Sequence, residues 1–411
     1  MLGFGAFNLL RPYLVLALKG VLTELPEEVA SISAGEAVVE LGLMMSVFMA
    51  TRSIMSIIGG WIGDVLGRKK LIIFGLALYV AVGLLYGFVS NVNQLIVLRA
   101  FQGFASGLVW PVAEALLADS VSSEFRGRAI SLYVMFSNVA RIIGPSIGVL
   151  AYAFVVHFLG LRDPLNAFRA PAVLISIFSF PALIASFVVK GDGGRSRREL
   201  KLSEYFKGFS QLSREAKRSV AVIFINGISN GIAMGILMSV AMVYAIEYIV
   251  KDPAVIGGMM TISAIAGLIS VYPASWLSDK IGRKIIVIAS MIVSRTSVIV
   301  FPFTWDIASL TLVYVMRTAA FSISRPVMQA LQADIAPREI RGRVFGLQQA
   351  FSNIGMFIGP LIGSYLYYEF RNTTFFNLPG LVFPFIISGL IGYATLILFA
   401  LFVSEPRNKT T

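Results

Sequence analysis

The sequence predicts an all-α membrane protein with twelve transmembrane helices, arranged as two pseudo-symmetric six-helix bundles. Composition is the first reason, because 57% of the 411 residues are hydrophobic and only 14% are charged, whereas soluble domains contain about 25% charged residues. The second reason is a series of apolar runs along the chain. The third is a set of motifs that recurs at a constant spacing between the first and second halves.

The apolar runs set the expected domain organisation. Each is long enough to cross a bilayer as a helix, which takes about 20 residues. The runs cover approximately residues 2–22, 38–60, 71–90, 93–119, 128–156, 169–190, 219–249, 254–277, 285–304, 308–333, 342–368 and 378–403. We therefore predict one six-helix bundle over 1–190, a basic cytoplasmic linker over 191–217, a second bundle over 218–403 and a cytoplasmic tail over 404–411.

The distribution of Lys and Arg predicts the orientation in the membrane. Alternate loops are rich in these residues, as at 68–70, 280–284 and 338–343, whereas the intervening loops contain few. Because basic loops stay in the cytoplasm, both termini are predicted to be cytoplasmic, in a multi-pass protein of the cell membrane. The later part of the linker has helical apolar spacing, which is typical of an amphipathic helix on the membrane surface. A disordered linker is the alternative.

Several classes of function are disfavoured by the sequence. The net charge of +12 comes from short loops and not from a basic face, so nucleic acid is not an expected partner. Cysteine is absent and His157 is the single histidine, so no metal site is expected. No phosphate-binding loop, catalytic triad or pair of catalytic carboxylates stands out. We therefore expect neither a cofactor nor an enzyme.

An internal repeat relates the two halves of the chain. At a constant spacing of 215 residues, segment 63–69 matches 278–284, Ala118-Asp119 matches Ala333-Asp334, and segment 126–128 matches 341–343. Segments 136–138 and 144–148 match 351–353 and 359–363 at the same spacing. Parallel repeats of this kind predict a substrate site between the two bundles near the bilayer midplane, reached alternately from either side.

The loop at 60–70 has the sequence Gly-Trp-Ile-Gly-Asp-Val-Leu-Gly-Arg-Lys-Lys, and 275–284 is a second copy. This loop resembles the signature loop of the major facilitator superfamily. The resemblance implies a carrier in which the loop latches an inner gate. The residues that it implies for this gate are Asp64, Arg68, Asp119, Arg128, Asp279, Arg283, Asp334 and Arg343. Charges that only fix the topology are the alternative.

Two further motifs narrow the resemblance. Leu95, Arg99, Gln102 and the glycines that follow resemble the fourth-helix motif of the superfamily, whose arginine is implicated in proton coupling, although Ala105 departs from the usual glycine. Segment 140–148 and the fuller copy at 355–363 resemble a motif of the twelve-span drug:proton antiporter group. The first copy starts with alanine in place of glycine. General helix packing is the alternative explanation.

Charged side chains inside the predicted spans indicate candidate transport residues. A buried arginine costs about 2.5–3.5 kcal/mol on insertion scales, and the spans contain seven, at positions 11, 52, 99, 141, 295, 317 and 325. Glu114 is predicted to be the one deeply buried acid, on a polar face of the fourth helix. We predict that substrate binding or coupling involves Arg11, Arg99, Glu114, Arg141, Asn226, Asn230 and Arg317.

The expected function is secondary active transport of a small organic solute by alternating access, with proton-coupled efflux favoured by the resemblance. The excess of arginine predicts a positively charged cavity and favours a solute with an anionic group. Uptake or exchange of an organic anion is therefore the alternative. A non-transporting membrane sensor is disfavoured, because both gate loops keep their aspartates. The expected partners are the solute, a proton and the lipid bilayer, with one chain sufficient as a monomer.

Overall fold

The computed structural model describes residues 1–122, 125–189, 212–336, 340–375 and 378–404. Most of the predicted linker helix and almost all of the predicted tail lie outside these residues. The first half forms six helical segments. They are α1 (Leu2–Leu18), α2 (Val38–Leu66), α3 (Arg68–Tyr86), α4 (Val92–Ser120), α5 (Arg126–Ala153) and α6, which begins as a short helix at Pro164–Arg169, passes through a 3-10 turn at Ala170–Val173 and continues over Leu174–Val188.

The second half is likewise helical. Its segments are α7 (Arg214–Tyr244), α8 (Pro253–Ile281), α9 (Arg283–Val300), α10 (Ile307–Ile335), α11 (Arg341–Phe370) and α12 (Phe383–Phe402). One small departure from the all-α prediction is an antiparallel hairpin of β1 (Thr374–Phe375) and β2 (Leu378–Pro379), in the loop before α12. Two strands of two residues do not alter the fold class, because the helices hold the core.

The helices have the dimensions of membrane spans. In the described part of the chain, ten helical segments are long and apolar enough to cross a membrane, judged by length and composition. The 17-residue α1 is shorter, and α11 is not among the ten. The N-terminal part of α11 carries arginines and glutamines, which lower its hydropathy. The prediction of a helical membrane protein is confirmed, with ten to twelve segments of this kind.

The chain divides into two compact units. Unit 1 comprises Met1–Arg198 and Met242–Thr261, and unit 2 comprises Glu199–Ala241 and Ile262–Thr411. Within unit 1, the 242–261 segment is held by Lys251, whose ammonium group donates to the carbonyl oxygens of Val29 (2.5 Å) and Ala30 (2.6 Å). Tyr13 donates a hydrogen bond of 2.7 Å to the carbonyl of Lys251. These hydrogen bonds, two of them charge-assisted, attach the segment to unit 1.

Close packing through glycine occurs at matching places in each unit. In unit 1, a Cβ added to Gly5 of α1 would lie 3.0 Å from the Cα of Gly144 on α5. In unit 2, a Cβ added to Gly235 of α7 would lie 3.0 Å from the Cα of Gly359 on α11. The glycines of the antiporter-like motif thus let two helix backbones approach closely, which is the packing role of small residues in membrane helices.

The turns between α2 and α3 and between α8 and α9 share one backbone feature. Gly67 has φ of 91° and Gly282 has φ of 104°. Side chains other than hydrogen are disfavoured in this region, because the Cβ clashes with the backbone. Each glycine directly precedes the arginine that begins the next helix, Arg68 or Arg283. The two glycines therefore help to set the positions of Arg68 and Arg283 at the starts of α3 and α9.

Candidate transport site and inner gate

The predicted gate of the first half contains a formed ion pair. Arg68 is the first residue of α3 and Asp119 lies in the last turn of α4. The Nη1 atom of Arg68 and the Oδ2 atom of Asp119 are 2.5 Å apart, with 20% and 43% of the two side chains exposed. A pair with this much exposure contributes modestly to stability, so it can form and break without a large penalty.

The second half repeats this arrangement. Arg283 begins α9, and its Nη1 atom lies 2.5 Å from Oδ2 of Asp334 near the end of α10. The same guanidinium contacts Oδ1 of Asp279 at 3.3 Å and donates to the carbonyl oxygen of Ala330 at 3.2 Å. The structure therefore brings together five of the eight predicted gate residues, as two ion-paired groups in equivalent positions of the repeat.

The other three predicted gate residues are not part of these two ion-paired groups. The side chain of Asp64 lies outside the described part of the structure. Arg128 is exposed, with its guanidinium 5.6 Å from the ring centre of Phe125, and no carboxylate of the described residues lies within 4.0 Å of it. Arg343 is half-buried in the first turn of α11, where its N–H donates to the carbonyl of Ile340 at 2.9 Å. A gate role for all eight residues stays a prediction.

Arg99 is the most enclosed charge of unit 1. Its side chain has no solvent exposure, and its guanidinium carbon lies 4.4 Å from the ring centre of Phe48 and 5.5 Å from that of Phe4. Nη1 donates a hydrogen bond of 2.6 Å to Oε1 of Gln102, which also accepts from the Tyr86 hydroxyl at 3.1 Å. The aromatic faces partly compensate the buried cation.

Arg11 supplies a second positive charge near Arg99. It is 6% exposed, and its Nη1 atom donates to Oδ1 of Asn8, one turn earlier on α1, at 3.1 Å. The Nε atoms of Arg11 and Arg99 are buried without a hydrogen-bond partner among the described residues. No described carboxylate forms an ion pair with either, so this part of unit 1 has excess positive charge.

Unit 2 contains a different arginine pair. Arg295 of α9 is 5% exposed, and its Nη2 atom donates to Oδ1 of Asn230 at 3.1 Å. Arg317 of α10 is partly exposed as a residue, although its Nε atom is buried, and its Nη2 atom lies 3.0 Å from the sulfur of Met234. The sequence-based site set included Arg317 and Asn230 but missed Arg295. Its position as an arginine inside a predicted apolar span was the available signal.

Two predicted site residues differ from expectation in their burial. Glu114 is exposed, so the prediction of a deeply buried acid is wrong. It lies two residues from the packed Val112 and Leu116, about 200° around the helix from each, which turns it away from the packed face. Arg141 is also exposed and hydrogen-bonds Asn138 on its own helix. Asn226 is buried as expected, and its Oδ1 atom has no partner among the described residues.

Comparison with known proteins agrees with the resemblance inferred from the loops. The family model for the Major Facilitator Superfamily matches residues 1–251 and 223–411. The chain is 27% identical over 326 residues to the multidrug resistance protein MdtG of Klebsiella pneumoniae (strain 342), covering 79% of this chain and 76% of that protein. It is 25% identical over 328 residues to multidrug resistance protein 1 of Bacillus subtilis (strain 168), covering 80% of each.

A solved structure supports the fold. The inward open conformation of the xylose transporter XylE from E. coli aligns with a TM-score of 0.66 at 18% identity, covering 99% of this chain and 95% of that chain. This likeness bears on the fold alone. The matching family model and these relatives describe membrane transporters and not enzymes. Since the family model extends over both halves of the chain, we conclude that this protein belongs to the major facilitator superfamily.

Proposed function

We propose that this protein is a secondary active exporter of a small organic solute that carries an anionic group. Efflux is supported by the relatives named multidrug resistance proteins. The anionic preference is carried by one observation. Arg11, Arg99, Arg295 and Arg317 lie within apolar helices, and none has an ion-pair partner among the described carboxylates.

The energetic argument follows from the cost of an isolated charge. A guanidinium removed from water loses hydration that neutral hydrogen bonds to Asn, Gln or sulfur replace only in part. A carboxylate or phosphate oxygen restores it through charge-assisted hydrogen bonds, which are about twice as strong as neutral ones. An anionic solute therefore gains more from these arginines than a lipophilic cation, which they would repel.

Proton exchange is the proposed driving force, by analogy with the antiporter group. Glu114 remains the candidate coupling group on α4, because it is an acid within the proposed span. Tyr133 of α5 lies close enough to interact with the carboxylate of Glu114. Replacement Glu114→Gln is expected to abolish transport driven by a pH gradient while binding of solute persists. Unchanged pH-driven transport in this variant would exclude Glu114 as the coupling group.

The proposed topology has twelve spans in two bundles. The protein lies in the cell membrane, with both termini in the cytoplasm. The Arg68–Asp119 and Arg283–Asp334 pairs would then lie at the cytoplasmic ends of α3, α4, α9 and α10. There they are suited to act as latches of an inner gate, formed in one state and released in another. One chain contains both repeats, so we propose that the monomer is the transporting species.

The test is transport by purified protein in proteoliposomes with an imposed pH gradient. A panel of solutes of similar size but anionic, neutral or cationic charge is compared in the parent, Arg99→Ala and Arg99→Lys. We expect the parent to favour anions, Arg99→Ala to lose at least about tenfold of that transport, equivalent to about 1.4 kcal/mol, and Arg99→Lys to keep a measurable part. The exposed Arg162→Gln is the matched control for loss of one positive charge.

Preference of the parent for cations or neutral solutes, unchanged in Arg99→Ala, would contradict the anionic assignment. A second candidate, exchange of organic anions, is favoured by the same arginines and differs in its driving force. Exchange predicts that labelled anion moves against unlabelled anion with no pH gradient present. Proton antiport predicts that dissipating the gradient removes net accumulation.

A further inference from the structure

Unit 2 contains two arginines whose hydrogen-bonding capacity is mostly unused. A guanidinium has five N–H donors. For Arg295 the contact with Asn230 is a neutral hydrogen bond, and for Arg317 the contact with the Met234 sulfur is to a weak acceptor. The Nε atoms of both arginines are buried without a partner among the described residues. Such unsatisfied buried donors need an explanation.

The two arginines also place two like charges beside one cavity. Both arginines border the same cavity, and each positive charge is close enough to affect the other. No described carboxylate forms an ion pair with either. Two like charges in an apolar setting repel and lose hydration, so the pair is unfavourable as it stands. An arrangement of this kind is accounted for by a ligand of opposite charge.

The cavity sets the size of that ligand. It has a volume of about 10 Å³ and is lined by Asn230, Met234, Ser294, Arg295, Arg317 and Phe321, with Ala233 and Val298. This volume holds about one water molecule. It is too small for a whole organic solute, so the ligand is at most a single small anion or one anionic terminus.

We propose that Arg295, Arg317 and Asn230 form a binding site for one small anionic group. The group is either a free inorganic anion such as chloride or the carboxylate of a larger solute. Both would accept from the unused N–H donors of the two guanidinium groups. The Asn230 side chain, which already holds Arg295 at 3.1 Å, orients that arginine toward the site.

The site depends on a glycine of α12. A Cβ added to Gly392 would lie 2.5 Å from Nε of Arg295 and closer still to its Cδ. The side chain of Arg295 therefore packs directly against α12 at Gly392, which has no side chain. A methyl group at position 392 would displace the arginine without removing any charge from the cavity.

The arginine pair of unit 2 is not repeated at the equivalent positions of unit 1. At the repeat spacing, Arg295 and Arg317 correspond to Val80 and Gln102, neither of which is cationic. Gln102 is already engaged by Arg99 and Tyr86. The proposed site of Arg295 and Arg317 is therefore not a repeat copy of the Arg99 environment.

The test measures anion binding to the purified full-length protein in detergent. Chloride and acetate are titrated at constant ionic strength into a buffer whose anion is a bulky sulfonate, which the cavity is too small to admit, and the thermal unfolding midpoint is followed. We expect both small anions to raise the midpoint of the parent, since a ligand that binds only the folded state stabilises it. Absence of any rise in the parent would overturn the proposal.

Two variants separate a binding site from a structural role. Arg317→Met removes one of the repelling charges and is expected to unfold at the same temperature as the parent or higher in chloride-free sulfonate buffer, with its response to chloride lost. Gly392→Ala keeps both charges and is expected to weaken the apparent chloride affinity about tenfold or more. A lowered midpoint of Arg317→Met with the chloride response retained would show that Arg317 is a structural contact, and would overturn the proposal.

Arg371→Gln is the matched control, because it removes one positive charge of unit 2 on the face of Tyr368, away from the cavity. It should respond to chloride like the parent. An equal loss in Arg371→Gln and Arg317→Met would mean that only net charge matters, and would overturn the site.

Competition identifies the source of the anionic group. If a transported anionic solute shifts the chloride titration, the site receives the carboxylate of that solute, and if it does not, the site is for an inorganic anion. The proposal rests on the proposed function only for the identity of a larger solute. Binding in detergent requires no transport, so failure of the transport assay and failure of the anion titration are separate results.

Discussion

The two halves of this chain agree at their turns and helix ends and differ at their buried charges. The turn glycines 67 and 282, the ion pairs of Arg68 and Arg283, and the N-caps of α4 and α10 occur at equal spacing and with similar geometry. In contrast, Arg99 of unit 1 corresponds to Tyr314, and Arg317 of unit 2 corresponds to Gln102. The comparison separates a shared framework from residues suited to a particular solute.

Arg99 on α4 and Arg317 on α10 lie in different surroundings. On α4 the arginine is placed between two phenylalanine rings and hydrogen-bonds the glutamine one turn later. On α10 the arginine stands at the position of that glutamine, beside a second arginine of α9 and a cavity. A shift of three residues keeps a side chain on the same helix face. Arg99 thus has aromatic and glutamine partners, whereas Arg317 contacts a sulfur atom and borders a cavity beside a second arginine, and neither forms an ion pair with a described carboxylate.

The largest expected effect tests whether the two turns are equivalent. Gly67→Ala and Gly282→Ala each place a Cβ at a φ near 90–105°, and we expect each to lower the free energy of unfolding by about 1–3 kcal/mol. The measurement is thermal unfolding in detergent, with Gly258→Ala as the control. Gly258 lies in α8 with nothing within 4 Å of an added Cβ, so its replacement should be neutral or stabilising. A loss confined to one turn would break the equivalence.

A smaller effect is expected at the N-caps. Asn91 accepts from the N–H of Gln94 at 2.9 Å, and Asp306 accepts from the N–H of Ser309 at 2.8 Å. Asn91→Ala is expected to cost about 0.5–2 kcal/mol at every pH. Hydrogen bonds from Ser309, first from its side chain and then from its backbone N–H, hold the pKa of Asp306 below its ordinary value.

The two caps should therefore differ in their pH dependence. The carboxylate of Asp306 stabilises the fold above its ordinary pKa, and this contribution is lost as the pH falls through the lowered folded-state pKa. Asp306→Ala should then destabilise at neutral pH and have less effect in acid. Unfolding midpoints of both variants between neutral and acid pH provide the measurement. A parallel pH dependence for Asn91→Ala would rule out titration of Asp306 as the cause.

The smallest effect concerns the gate ion pairs. Double-mutant cycles of Arg68→Gln with Asp119→Asn, and of Arg283→Gln with Asp334→Asn, should each give a coupling free energy of about 0.2–1 kcal/mol. The coupling should decline as salt is added, because both pairs are partly exposed. Coupling in one half alone would show that the repeated sequence does not produce a repeated interaction.

The sequence was sufficient for features that depend on spacing. Hydropathy predicted the helical fold, and the resemblance of the loop at 60–70 and of its second copy to the superfamily signature loop implied the charged residues that form the two ion pairs. The sequence was not sufficient to predict the burial and the contacts of individual side chains. Glu114 follows the polar stripe of α4 but lies beyond the part of that stripe that is packed, and only the neighbouring helices determine this. Arg295 was left out of the predicted site set, because its partners on α7, α10 and α12 are distant in sequence. The twelve-span topology and the domain boundaries stay predictions.

The absence of a side chain at Gly392 has an evolutionary consequence. Since a methyl group there would overlap the Arg295 side chain, the arginine at 295 and any larger residue at 392 are mutually exclusive in one conformation. Among homologous carriers, the two positions should therefore vary together, with glycine accompanying arginine and bulkier residues appearing only where the arginine is lost. Such linked substitution would show, from sequence alone, which homologous carriers retain the pair formed by Arg295 and Arg317 and which have lost it.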